Sequence, residues 1–148
     1  MFQSILLAVG GHDASLEPAR VAAQLAARLG ARVTVVSVYR QTSPALGEPY
    51  YEEALLPRQA EARRTVEEAA RLLREEGASE PELETLEGDA AERIAAIARE
   101  RDFELVIMGT HRRGRLGAAL LGSVSSSVAA RAGVPVMVVP EPPLADRR

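Results

Sequence analysis

The chain has 148 residues, 47% of them hydrophobic and 26% charged, with a net charge of −3; this fits one globular domain with a substantial core and excludes the clustered positive charge that general nucleic-acid binding needs. There is no Cys and no Lys, all 18 basic residues being Arg, which excludes disulfides, thiol nucleophiles, Schiff-base chemistry and the phosphate loop whose Lys reaches the β- and γ-phosphates. No apolar run approaches the ~20 residues that span a bilayer, and Met1-Phe2-Gln3-Ser4 lacks the basic start of a signal peptide, so the expectation is a cytoplasmic protein with no membrane or nucleic-acid partner.

The pattern along the chain alternates strand and helix. Ser4 to Val9 is a short apolar strand of the kind buried on both faces, ended by Gly10-Gly11. A helix follows, with Ser15 as N-cap and Glu17 and Pro18 in its first turn. Pro18, Val21, Ala22, Leu25 and Leu29 recur at helical spacing, and Gly30 closes it. Arg32 to Tyr39 is a Val-rich second strand, and the Pro- and Gly-bearing stretch from Gln41 to Pro49 is a loop.

A long amphipathic helix is predicted over Tyr51 to Glu76, with Leu55, Ala62, Val66, Ala69, Ala70 and Leu73 on its apolar face. Pro57 points to a start near that residue. Pro81 to Leu86 is a third strand. Asp89 and Glu92 form a capping box for a third helix that runs to about Arg101. Asp102 to Gly109 is the fourth strand, Gly122 to Ala132 the fourth helix and Val134 to Val139 the fifth strand. Residues 1–140 thus form one domain, and 141–148 a frayed tail.

Five strands alternating with four helices imply right-handed crossovers and a mostly parallel sheet between two helical layers. The expected strand order is 3-2-1-4-5. The first and fourth strands then adjoin at the topological switch point, where ligands of such sheets bind. Two sequence features fall at that edge. One is Met108-Gly109-Thr110-His111-Arg112-Arg113-Gly114, directly after an apolar strand. The other is Gly122-Ser123, separated from Arg112 by nine residues. Glycine lets backbone N–H groups approach an anion closely, and a helix N-terminus holds its charge. The combination reads as a phosphate cradle.

Other polar clusters at this edge are weaker. Arg112, Arg113 and Arg115 either neutralise phosphate or form a solvated loop. His12 and His111, with Asp13, lack a firmly placed third ligand and define neither a metal site nor an acid–base pair. Ser123, Ser125, Ser126 and Ser127 open the fourth helix, but the nucleophile-elbow pattern Gly-x-Ser-x-Gly is absent. A receiver-like phosphotransfer domain would need an acidic cluster after the first strand, and none is there.

Over essentially its whole length the chain resembles the universal stress protein family. The resemblance is carried by Ile5-Leu6-Leu7-Ala8-Val9, Val36-Ser37-Val38, Val106-Ile107-Met108-Gly109-Thr110-His111, Leu120-Leu121-Gly122-Ser123-Val124 and Val134-Pro135-Val136-Met137-Val138-Val139. It implies a Rossmann-like three-layer sandwich of the adenine nucleotide alpha hydrolase-like type. It further implies a homodimer through the fifth strand (Val134, Val136, Val138), and ATP, with or without Mg, as ligand. The family's ATP-binding motif is Gly, two residues, Gly, nine residues, Gly-Ser/Thr. Gly109, Gly122 and Ser123 match it, with Met108, Val124 and Ser125 beside them. Ala8, Val9, Gly10 and Val38 fall at strand ends that wall the nucleoside.

Two positions depart from the family. Arg112 stands where the second motif Gly belongs, with Arg113 next to it. Gly10-Gly11-His12 replaces the usual Asp-Gly-Ser. The resulting expectation is an adenine-nucleotide-binding stress-response regulator with no catalytic residue, no protein-held metal and at most slow ATP hydrolysis. The alternative is a dimeric interaction module that does not bind nucleotide.

Overall fold

The computed structural model describes residues 2–10, 16–41, 43, 45, 47–110 and 122–140. Strands β1 (Ser4–Ala8), β2 (Arg32–Tyr39), β3 (Glu82–Glu87), β4 (Leu105–Gly109) and β5 (Val136–Val139) alternate with helices α1 (Glu17–Leu29), α2 (Tyr50–Glu75), α3 (Ala90–Glu100) and α4 (Ser123–Arg131). Every pairing is parallel and the order is β3-β2-β1-β4-β5. The expected α/β fold and strand order are therefore both present.

Period-two alternation divides the sheet's side chains between two cores. Ile5, Leu7, Val33, Val35, Leu105 and Ile107 face α1 and α2. Leu6, Ala8, Val36, Val106 and Met108 face α3 and α4. Ile5, Leu6 and Leu7 are all fully buried, as both faces of a covered central strand require. β1 is the hinge of the arrangement. Ile5 lies opposite Val33 on one side and Leu105 on the other.

Small side chains set the approach of α1. Its buried residues are Pro18, Ala19, Ala22, Ala23 and Ala26, while Leu29 is 44% exposed and Val21 and Leu25 are half-buried. The alanine stripe, rather than the larger residues picked from the spacing, lies against the sheet. Gly30 ends the helix in the left-handed region, φ 66°, and Ala31 N–H donates to the Ala26 carbonyl at 3.1 Å. This is the turn that only glycine makes without strain.

Several boundaries move. The cap position of α1 is Leu16, which makes no side-chain cap; Ser15 lies outside the described residues. α2 begins at Tyr50 and carries Pro57 inside it. Pro57 is exposed, so the carbonyl it leaves without an N–H partner stands on the solvent side, where the loss is tolerable. β4 starts at Leu105, because Asp102 takes φ 52° and Phe103 N–H turns back to the Ala98 carbonyl at 3.2 Å. β5 starts at Val136. Gly133, at φ 69°, and Pro135, which has no N–H, delay the ladder. Val134 is thus not part of the fifth strand; it packs on the α3/α4 core.

Candidate functional site

Strand connectivity fixes where a ligand would lie. β1 sends its chain to β2 on one side and pairs with β4 on the other, so the C-terminal ends of β1 and β4 flank the point where the winding reverses. Ala8 lies opposite Met108, and Gly109 opposite Val139. Val9 N–H continues the pairing beyond β1 by donating to the Val36 carbonyl at 2.9 Å. Gly10, next in the chain, is exposed.

α4 links β4 to the parallel β5, so it runs back against them and its first turn stands at this same edge. Gly122 is its N-cap, extended at φ −67° and ψ 162°. Glycine has no side chain to accept from the following amides, and no side-chain cap is present among the described residues. α3 is the contrast. There Asp89 Oδ2 accepts the Glu92 N–H at 2.9 Å. α1, α2 and α3 also carry acids in the first turn: Glu17, Glu52 and Glu53, and Glu92. α4 has none. Among the described residues, its first N–H groups and the positive end of its dipole meet neither a side-chain cap nor an acid of the first turn.

The opposite end of α4 is fixed by cations. Arg131 lies in the last turn, and Arg99 Nη1 of α3 donates to the Arg131 carbonyl at 2.5 Å. Positive charge there complements the negative end of the dipole. Val124, Val128 and Ala132 seat the helix on the core that contains Met108 and Ala8.

The structure brings most of the expected site residues to one edge but not to one face. Ala8 and Met108 are 6% and 4% exposed, and with half-buried Val38 they belong to the α3/α4 side. The Val9 side chain belongs to the α1/α2 core. Ser123 is exposed, Gly109, Gly122 and Val124 are half-buried, and Ser125 is buried. The Ser125 hydroxyl donates to the Gly122 carbonyl at 3.0 Å. Arg112, Arg113, Arg115, His12, Asp13 and His111 lie outside the described residues. Among the described residues, no group of three or more His, Asp or Glu is placed to hold a metal ion, and no helix is long and apolar enough to cross a membrane.

One polar group at this edge escaped the reading of the sequence. Thr110 follows β4 directly and is only 7% exposed, and its hydroxyl finds no hydrogen-bond partner among the described residues. An unsatisfied buried hydroxyl costs about 1 to 3 kcal/mol. A threonine after a strand carries no sequence signal of such burial.

A five-stranded parallel sheet wound in this order between two helical layers is a Rossmann-like α/β fold. The family model for the Universal stress protein family matches residues 1–140, and the chain belongs to that family. A universal stress protein of Thermus aquaticus is 39% identical over 139 residues, covering 94% of this chain and 99% of the relative. One from Methanocaldococcus jannaschii is 32% identical, covering 96% and 84%. Among solved structures, UspA from Lactobacillus plantarum superposes with a TM-score of 0.77 at 22% identity, covering 93% and 97% of the two chains. The universal stress protein from Archaeoglobus fulgidus in complex with dAMP gives a TM-score of 0.64 at 25% identity, covering 93% and 98%.

Proposed function

We propose that this chain is a cytoplasmic homodimer that binds ATP or a related adenine nucleotide at the crevice above β1 and β4, and that it acts as a nucleotide-dependent regulator of a stress response. The observation that carries this reading is the first turn of α4. It is the one described helix with neither an acid in its first turn nor a side-chain cap. A phosphate supplies what that turn lacks: acceptor oxygens for the amides and negative charge for the dipole. The Archaeoglobus relative in complex with dAMP supports an adenine nucleotide as the source of that phosphate.

The nucleoside would lie along the α3/α4 side, against half-buried Val38 and over the buried Ala8 and Met108. The chemistry stops at binding. The described residues around the crevice offer no carboxylate or imidazole to activate water, so hydrolysis of ATP would be slow. Any Mg would be held chiefly by the phosphates.

A second reading, an interaction module without nucleotide, is favoured by Gly10. It follows the first strand at the position where the family places a carboxylate. Calorimetric titration with ATP and AMP separates the two. Saturable binding at micromolar to low millimolar concentration supports the nucleotide reading. No heat at millimolar nucleotide favours the module.

A further inference from the structure

We propose that the Thr110 hydroxyl is a ligand-binding group that donates a hydrogen bond to a phosphate oxygen held at the first turn of α4. The proposal rests on the nucleotide reading above and adds a residue to it. Two independent observations converge. The first is the uncapped start of α4 at Gly122, with no acid in the turn. The second is a side chain more than nine-tenths buried whose Oγ1 has no partner among the described residues.

Placement ties the two together. Gly109 is the last residue of β4. Alternation continued one residue past the strand would bring the Thr110 side chain to the face occupied by Val106 and Met108, the face that α4 covers. Thr110 is also the next residue out from the Gly109–Val139 pair, at the C-terminal edge where α4 begins. A hydroxyl serving the fold alone would be bonded within it. Ser125, the buried hydroxyl in the first turn of α4, is bonded to the Gly122 carbonyl. Thr110 has one donor and two acceptor positions, and none of them is used by the described residues. The first amides of α4 stand at the same edge of the sheet, and an acceptor that both they and the hydroxyl could share is a phosphate oxygen.

Thr110→Val removes the hydroxyl and keeps the shape; Thr110→Ser keeps the hydroxyl. Each is titrated with ATP and melted without ligand beside the wild-type chain. The expected result is about tenfold weaker ATP binding for Thr110→Val, near wild-type affinity for Thr110→Ser, and an unliganded Tm for Thr110→Val equal to or above wild type. Equal ATP affinity in wild type and Thr110→Val overturns the inference while leaving the nucleotide reading intact. So does an unliganded Tm that falls in Thr110→Val and returns in Thr110→Ser, since the hydroxyl is then bonded within the chain. A wild-type chain that takes up no ATP overturns the nucleotide reading itself, and this inference with it.

Discussion

Ser125 donates its hydroxyl to the carbonyl of Gly122 at 3.0 Å, tying the N-cap of α4 to the third residue of the helix from the buried side. The hydroxyl's single hydrogen is committed there, so an anion at this turn would meet Ser125 through its backbone N–H. Ser125→Ala should therefore leave ATP affinity within about twofold, while lowering stability by about 1 kcal/mol through the lost bond. Urea unfolding and calorimetry on the same variant check both halves. A large loss of affinity with unchanged stability would show that the hydroxyl itself serves the ligand.

Gly122 allows an experiment with effects of opposite sign. Its φ of −67° and ψ of 162° suit any residue. Asp is among the best N-caps, and its charge suits the positive end of the helix. Gly122→Asp should raise unliganded stability by about 0.5 to 1 kcal/mol, a few tenths from the cap itself and the rest from a negative charge at the positive end of the helix. The same carboxylate would occupy the amides and repel a phosphate, weakening ATP binding on the order of a hundredfold. A stabilised variant that still binds ATP normally would place the anion elsewhere.

Stability away from the crevice should change without touching binding. Asp89→Ala removes the bond to the Glu92 amide and should cost about 1 kcal/mol. Gly30→Ala should cost a similar amount, about 1 kcal/mol, because φ 66° strains any L side chain although space is open around the site. Thermal melts read the loss, and ATP titration should return the wild-type affinity for both.

The two edges of the sheet differ in chemistry. β3 carries Glu82, Glu84 and Glu87 along its six residues, a charged edge that resists pairing. β5 reads Val-Met-Val-Val, and Met137 is 36% exposed. The proposed dimer should form through β5, and Met137→Lys should convert it to a monomer in sedimentation equilibrium. A wild-type chain that sediments at a single chain mass, or a Met137→Lys variant that remains dimeric, would remove β5 from the interface.

The fold was legible because its signals are local and repeated. Val-rich β2 falls within its expected limits, Arg32 to Tyr39, since a buried parallel strand is continuous apolar sequence. Asp89 and Glu92 announced α3 through a cap that works over three residues. The misplaced boundaries are those decided by exposure. Pro57 sits harmlessly inside α2 because its side of the helix is in solvent, and Val134 leaves β5 because Gly133 and Pro135 shape the chain before it. The candidate site was legible only in part. Gly122-Ser123 can be read as a helix start from the residues alone. That Thr110 buries a hydroxyl with no partner among the described residues is a fact about packing between distant segments.

The most direct test of the central claim is a 15N–1H correlation spectrum of the chain titrated with ATP. The account predicts that the backbone amide resonances of Ser123, Val124 and Ser125 move progressively and saturate, while those of β3 stay in place. Saturable binding that leaves the three amides of α4 unmoved would contradict it.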